Sequence, residues 1–241
     1  DGTYNAAVPV SRTFIVEKRL VYGAFQVPSE KTYDGTDLAQ VTSRSLVGIL
    51  PADEGEVLLT GGTAHYDNSQ VGEDKPVRLV GATLTGPRAG NYHLGPFHIP
   101  RADIVPAPPH QITLHGPSVL SVGSSGVTLT LTIRDAFGNP SPVGEVTTVS
   151  LTTDAEGEGY NFEPGPSLTV PSHESQVSFR YTATGTNGGN HRITATRVSG
   201  EDLSGGGEAV HDLATQGGPV AGFRIEAEGG GEIGAQVVDQ A

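Results

Sequence analysis

Apolar and polar residues alternate with a period of two along most of the chain, whereas the 3.6-residue period of an amphipathic helix is nearly absent. In residues 127–133, a Val, Leu or Ile at every second position alternates with Thr. Residues 177–182 repeat this pattern, with Val177, Phe179 and Tyr181 separated by polar side chains. Short alternating stretches bounded by Gly, Pro, Asn and Asp are typical of half-buried strands. The sequence therefore predicts an all-β protein.

The first half of the chain carries the same signals less regularly. Strands are predicted at residues 57–60, 77–80 and 93–99, while residues 37–48 fit either strands or a short helix. Four prolines fall between Pro100 and Pro109, which predicts a stiff, extended linker and a domain boundary. The glycine-rich residues 204–218 predict a second boundary, formed by a loop or a tether.

Two stretches near the ends of the chain are similar to stretches inside it, which suggests tandem modules. Gly2-Thr-Tyr4 followed by Phe14-Ile15 is similar to Gly90-Asn-Tyr92 followed by Phe97-His-Ile99. Residues 219–241 repeat the apolar spacing of residues 112–131. Fixed internal similarity is typical of repeat arrays, so both tails are interpreted as parts of neighbouring modules. The alternative is that the two tails complete the two central domains.

Composition and charge narrow the classes of function. The 241 residues suit two domains of about 100 residues each. With 14 basic and 27 acidic residues the net charge is −13, which makes nucleic acid and anionic membranes poor partners. The absence of cysteine excludes disulfides and thiolate metal sites. No apolar run approaches the ~20 residues of a membrane helix, so no membrane insertion is expected.

Three separated stretches carry a family resemblance. Lys31-Thr-Tyr-Asp-Gly-Thr36 resembles the signature of the bacterial YDG repeat, residues 58–63 fit its middle segment, and Ala89-Gly-Asn-Tyr92 is similar to its closing pattern. Residues 2–16 resemble the end of a related glycine-rich module, MBG. Residues 107–215 resemble a bacterial immunoglobulin-like domain, above all through Ile133-Arg-Asp-Ala-Phe-Gly-Asn-Pro140.

The resemblance implies tandem small β domains of a large secreted or surface-anchored bacterial protein of the adhesin type. Four segments are predicted. Residues 1–17 are the end of a preceding MBG-like module or an N-terminal strand, and residues 18–106 are a YDG-like module that ends in the Pro-rich linker. Residues 107–215 are an immunoglobulin-like antiparallel sandwich, and residues 216–241 are the start of a further β module. The resemblance brings no catalytic residues with it, and no cofactor is expected.

One acidic stretch resembles a calcium loop. Asp154, Glu156 and Glu158 alternate and are followed by Gly159, as in the first half of such a loop. The closing acid stands at Glu163 rather than at position 165, so the match is partial. The alternative is a solvated acidic hairpin loop. These four acids are the candidate metal ligands, and calcium is the ion that they would suit. Asp53, Glu54 and Glu56, and the acids of residues 226–232, are weaker versions of the same pattern.

The signature stretch Lys31–Thr36 and the residue Asp135 have both a structural and a chemical interpretation. Asp34-Gly35 is a turn pair, so the signature stretch is first of all a structural turn; the alternative is an intramolecular isopeptide crosslink through Lys31. Asp135 precedes a Gly-Asn turn and is expected to cap backbone amides. The sequence contains no Gly-x-Ser-x-Gly nucleophile motif, and the carboxylates lie in turn-like stretches.

The predicted function is therefore non-catalytic: a structural stalk or spacer segment of an extracellular, adhesin-like bacterial protein. Two alternatives stay open. One is an adhesion module that binds a cell-surface glycan or protein, and the other is an ancillary domain of a secreted polysaccharide-degrading enzyme. In each case neighbouring modules of the same chain are expected partners.

Overall fold

The structure is a computed structural model that describes residue 2 and residues 8–155, 159–184 and 189–217. The chain divides into two compact units, Asp1–Pro106 and Ala107–Ala241. The described residues form β-strands and two short 3₁₀ helices, Pro51–Asp53 and Ala89–Asn91. The all-β prediction is therefore confirmed. None of the helices in these described ranges is long and apolar enough to cross a membrane.

The described part of the first unit contains eight strands. In chain order they are β1 (Arg19–Gln26), β2 (Glu30–Thr32), β3 (Leu38–Ala39), β4 (Ser43–Val47), β5 (Leu58–Tyr66), β6 (Gly72–Thr85), β7 (Tyr92–Phe97) and β8 (Arg101–Val105). One sheet has the order β4-β1-β7, in which β1 is antiparallel to β4 and parallel to β7. The other has the order β2-β8-β6-β5-β3, with β5 and β6 forming a long antiparallel hairpin.

Two small apolar clusters stabilise this unit. The larger lies between the sheets and consists of Phe25, Ala64, Tyr66, Val77, Leu79, Ala102 and Ile104. The smaller contains only three buried residues, Val21, Val57 and Tyr92. Leu46, Ile49, Leu84 and Ala89 pack against the smaller cluster but stay partly exposed. These partly exposed residues form the outer cover of the smaller cluster, whose own three residues are buried.

One prediction for the first half differs from the structure, and one open alternative is decided by it. Residues 101–105 form strand β8, paired with β2 and β6, and are not a linker. The prolines at 100, 106, 108 and 109 flank this strand, while the five residues between them keep their N–H groups and bury Ala102 and Ile104. Residues 37–48 contain strands β3 and β4 and no helix.

The described part of the second unit contains nine strands. They are β9 (Pro109–His115), β10 (Val119–Ser121), β11 (Val127–Asp135), β12 (Thr147–Thr153), β13 (Tyr160–Glu163), β14 (Ser167–Val170), β15 (Gln176–Ala183), β16 (Asn190–Ser199) and β17 (Glu208–Gln216). The alternating stretches 127–133 and 177–182 are confirmed as strands β11 and β15. Strand β17 falls within residues 204–218, so most of the predicted second boundary belongs to this unit's sheet.

The second unit is a sandwich of two sheets. Their orders are β13-β15-β11-β9 and β10-β17-β16-β12-β14. The first corresponds to strands D, E, B and A of an immunoglobulin-like sandwich, and β17-β16-β12 correspond to strands G, F and C. Strand β10 is an exception to the antiparallel pattern, because it pairs with β17 in parallel. One core of nineteen buried residues, including Leu129, Leu131, Ile133 and Tyr181, joins the two sheets.

The predicted flanking modules are described only in part. Residues 8–17 are described, lie outside the strands and are exposed. Residue 1, residues 3–7 and residues 218–241, which carry most of the predicted neighbouring modules, lie outside the described residues.

Candidate functional site

The signature turn of the first unit is organised around Lys31. Its ammonium donates to the carbonyl oxygens of Thr36 at 2.9 Å and Leu38 at 2.8 Å, and to the hydroxyl of Thr36 at 2.9 Å. It also forms an ion pair with Asp34 Oδ1 at 2.8 Å. The short strand β2 positions Lys31, and the turn at Asp34-Gly35 brings the chain back over it; Gly35 has a φ of 82°, which favours glycine.

The carboxylate of Asp34 completes this turn. Its Oδ1 accepts hydrogen bonds from the backbone N–H of Thr36 at 2.9 Å and from the Thr36 hydroxyl at 2.8 Å. The hydrogen bond from Lys31 and those from Thr36 lower the pKa of Asp34 from 3.8 to about 2. The carboxyl group of Asp34 is therefore ionised at neutral pH. Amide formation needs a neutral amine and an electrophilic carboxyl group, so this arrangement favours an ion pair over a crosslink through Lys31.

A second lysine, Lys75 of β6, holds the loop between β5 and β6 in the same way. Lys75 is buried, yet its Nζ donates to Asn68 Oδ1 at 2.6 Å and lies 3.2 Å from Asp67 Oδ1. Asn68 also accepts a hydrogen bond from the backbone N–H of Gln70 at 3.0 Å. The sequence analysis did not find this site, because nothing in the local pattern marks Lys75 as buried.

Tyr92 closes the first unit at its smaller core. Its ring is buried, and its hydroxyl donates to Asp53 Oδ2 at 2.7 Å and accepts from the backbone N–H of Leu50 at 3.2 Å. Burial and the hydrogen bond to Asp53 raise the pKa of Tyr92 above 10.0. The closing pattern Ala89-Gly-Asn-Tyr92 therefore fixes the loop that connects β4 and β5.

In the second unit, Asp135 holds the turn that follows β11. The side chain is fully buried, and its two oxygens accept hydrogen bonds from the backbone N–H groups of Ala107 (3.0 Å), Phe137 (2.9 Å) and Asn139 (2.8 Å), and from Asn139 Nδ2 (3.0 Å). Burial alone would raise the pKa of Asp135, but these hydrogen bonds outweigh it and hold the pKa below 3.8. The expected capping role is confirmed.

The acidic stretch is only partly described. Glu156 and Glu158 lie outside the described residues. Asp154 Oδ1 accepts the backbone N–H of Arg192 at 2.6 Å, and Glu163 Oε2 lies 3.9 Å from Arg180 Nη1. The described residues contain no group of three or more His, Asp or Glu side chains placed to hold a metal ion. Calcium binding by Asp154, Glu156, Glu158 and Glu163 stays a prediction.

A comparison with protein families gives one match. Residues 18–98 match the YDG domain. The match spans the Lys31 turn, the Lys75 loop and Tyr92, so the three polar contacts described above all belong to the YDG region. No curated protein matches the chain.

Solved structures show distant similarity. The adhesin InvE of Yersinia pseudotuberculosis is 14% identical, with a TM-score of 0.34, and the match covers 81% of this chain and 58% of InvE. The CARDB domain of PF1109 from Pyrococcus furiosus, solved with di-metal ions, is 19% identical at a TM-score of 0.31 and covers 48% of this chain and 95% of that domain. A β-glycosidase from Bacteroides vulgatus is 12% identical at a TM-score of 0.36, covering 66% of this chain and 21% of the enzyme.

Outside the YDG region, the core of the sandwich contains a polar pair that the sequence analysis missed. The hydroxyl of Tyr181 and Nδ1 of His191 are 2.7 Å apart, and both residues are buried. Tyr181 follows the predicted alternation of β15, which indicates an inward side chain. His191 follows a glycine-rich stretch of the sequence, and only its distance from Tyr181 in the folded protein reveals the pair.

Proposed function

We propose that this chain is a non-catalytic structural segment of a secreted or cell-surface bacterial protein, acting as a stalk or spacer of the adhesin type. One observation carries the proposal. The polar groups of Lys31 and Asp34, in the YDG signature, form their hydrogen bonds and ion pair within their own turn. Residues that serve a ligand or a substrate are usually held on loops by a rigid scaffold and keep bonding capacity for it.

The turn contacts support this role physically. Lys31, Lys75 and Asp135 each tie a loop to the strand that precedes or follows it. Such contacts stabilise the points where a small β domain is weakest, because loops have few apolar contacts. The match of residues 18–98 to the YDG domain adds to the proposal through the bacterial surface proteins that the resemblance implies.

A second candidate function, binding of a cell-surface glycan or protein, is favoured by two open clefts. One of about 410 Å³ lies beside Lys31 and is lined by Pro28, Leu38 and Tyr66 among others. The other, of about 660 Å³, lies on the second unit beside Arg192 and Asp212. Sugar-binding clefts combine polar groups with apolar surface, and both of these contain such groups.

A glycan-array screen of the 241-residue chain, with and without millimolar calcium, separates the two candidates. The stalk function predicts no saturable binding in either condition. Saturable binding to one glycan class that is lost in Asp212→Ala or in Leu38→Asp, but kept in the surface control Asp202→Ala, would overturn it and assign the corresponding cleft.

A further inference from the structure

A lysine, an asparagine and an aspartate meet at the loop between β5 and β6. Nζ of Lys75 lies 2.6 Å from Asn68 Oδ1 and 3.2 Å from Asp67 Oδ1. Lys75 shares the inward face of β6 with buried Val77 and Leu79, because the three stand at alternate positions of the strand. Only 8% of the Lys75 side chain is exposed. Its nitrogen is therefore held against the two loop residues instead of being surrounded by solvent.

An irregularity in β6 turns Lys75 toward this loop. The pairing of β6 with β8 shifts its register between Gly72 and Lys75, and Asp74 between them has a φ of 51°. Such irregularities re-aim the side chains next to them. Glu73 is accordingly exposed, although it stands two residues before buried Lys75 and would share its face in a regular strand.

The side-chain amide of Asn68 is placed as an electrophile. Its Oδ1 accepts the backbone N–H of Gln70 at 3.0 Å as well as the contact from Lys75. An N–H donor on the carbonyl oxygen stabilises the negative charge that develops there when the carbon is attacked. Because a C=O bond is about 1.2 Å long, Cγ of Asn68 lies at most about 3.8 Å from Nζ. Reacting atoms approach to ~3–3.5 Å before reaction, and the flexible lysine stem can cover the difference.

The carboxylate of Asp67 is placed to move the protons. Its Oδ1 contacts Nζ of Lys75 and also accepts the backbone N–H of Asn68 at 3.0 Å, which fixes it beside the amide. A lysine nitrogen becomes a nucleophile once a neighbouring base takes its proton, and a carboxylate can take a proton and return it. The Asp67 side chain is 44% exposed, so a small product formed beside it has a path to solvent.

The environment of Lys31 is different. Its nitrogen contacts backbone carbonyl groups, a hydroxyl and the ionised carboxylate of Asp34, and a carboxylate is a poor electrophile. The chain has three lysines, at positions 18, 31 and 75. Among the side-chain contacts that the structure describes for them, those of Lys75 are the ones that join an amide and a carboxylate at one nitrogen.

We propose that Lys75 and Asn68 form an intramolecular isopeptide bond, with Asp67 as the proton carrier. Asp67 takes one proton from the Lys75 ammonium, and the electron pair of the neutral amine attacks Cγ of Asn68. The bond between Cγ and Nδ2 then breaks, and the leaving nitrogen receives the proton held by Asp67 and one more from Nζ. The products are one Nζ–Cγ amide and one ammonium ion, so atoms and charge balance and no oxidant is needed. The proposal goes beyond the stalk function and does not depend on it.

Cleavage at Glu73 tests the bond in the wild-type chain, because Glu73 stands between Asn68 and Lys75. A protease that cuts after glutamate, applied to the denatured chain, releases residues 57–73 and 74–145 as neighbouring peptides. With the isopeptide bond the two peptides stay joined, and their mass is lower than the sum of the two by one ammonia. Two separate peptides of full mass would overturn the proposal, and this result does not depend on the folding of any variant.

Intact-mass measurements on variants identify the reacting groups. Lys75→Arg keeps a positive charge but supplies no amine, and Asn68→Ala removes the electrophile, so both are expected at their full sequence mass. The matched control Lys18→Arg changes an exposed lysine and is expected to keep the loss of ammonia. Cyclisation of Asn68 on its own backbone loses the same mass. It would leave the two peptides separate and would persist in Lys75→Arg, and this outcome would contradict the proposal.

The variant Asp67→Ala tests the proton carrier. Loss of a positioned acid–base group is expected to slow formation of the bond roughly a hundredfold or more. Freshly purified Asp67→Ala should therefore keep most of its ammonia and yield separate peptides, which become joined on long incubation. Peptides that are joined as completely as in the wild-type chain at the earliest time would overturn the role of Asp67.

Discussion

Replacement of Asp135 gives the sharpest test of how the second unit is held together. The carboxylate is fully buried and accepts four hydrogen bonds, three of them from backbone N–H groups. Asp135→Ala leaves these donors without their acceptor, at a cost of about 1–3 kcal/mol for each buried group. Because water can enter the space left by the side chain, the expected total is roughly 3–5 kcal/mol rather than the full sum.

The assay has to report on the second unit alone. Hydrogen exchange followed by mass spectrometry separates peptides of residues 107–217 from those of residues 18–106. In Asp135→Ala the apparent unfolding free energy of the second unit should fall by the stated amount, and its melting temperature by roughly 10–20 °C. Asp212→Asn is the control, because Asp212 is exposed and surface ion pairs such as its pair with Arg192 contribute little to stability. A loss below about 1 kcal/mol in Asp135→Ala would refute the reasoning.

The same carboxylate makes the unit sensitive to acid. Its folded pKa lies below the 3.8 of the free side chain, so its contribution to stability is fully present above that pH. The contribution is lost as the pH falls through the folded pKa. Asp135→Asn, which cannot titrate, should therefore be less stable than wild type at neutral pH, and its stability should fall less below pH 4. Parallel acid unfolding curves for the two proteins would contradict this assignment.

Three further predictions concern the other polar sites. Lys31→Met should raise the pKa of Asp34 from about 2 toward 3.8 in an NMR titration, whereas Glu30→Gln should not, and an unchanged pKa would exclude the ion pair as its cause. Lys75→Met should keep the packing of the side-chain stem but lose the contacts to Asp67 and Asn68, so hydrogen exchange in residues 68–71 should accelerate while β1 is unaffected. If the acidic stretch binds calcium, millimolar calcium should raise the melting temperature of the second unit. The double substitution Asp154→Ala with Glu158→Ala should abolish this rise. A melting temperature that does not respond to calcium would contradict the prediction.

The local sequence pattern is sufficient to predict a strand where apolar and polar residues alternate clearly between flanking turns. Strands β11 and β15 and the capping role of Asp135 follow from side-chain period and turn chemistry, which act over a few residues. The prolines around strand β8 predict a linker instead of a strand, although none of them falls within Arg101–Val105. The feature that indicates this strand is the alternation of apolar Ala102 and Ile104 with polar Asp103, and this pattern spans only three residues.

Features that depend on pairing between residues far apart in the sequence are not predictable from the local pattern. Lys75 is buried because its side chain contacts the loop before β6, although Glu73 and Asp74 next to it in sequence are exposed. Strands β4 and β5 follow each other in the chain but belong to different sheets, although consecutive strands usually pair or lie next to each other. Sequence pattern predicts strands, but the choice of partner is settled by the whole sheet.

Single-molecule force spectroscopy, with handles at both ends of the chain, tests the stalk function most directly. A load-bearing segment built from two self-contained units should unfold in two cooperative steps, each releasing about 3.6 Å for every ordered residue of one unit. Lys31→Met and Asp135→Ala should each lower the unfolding force of one step and leave the other unchanged. Gradual extension at low force, without discrete steps, would contradict the account.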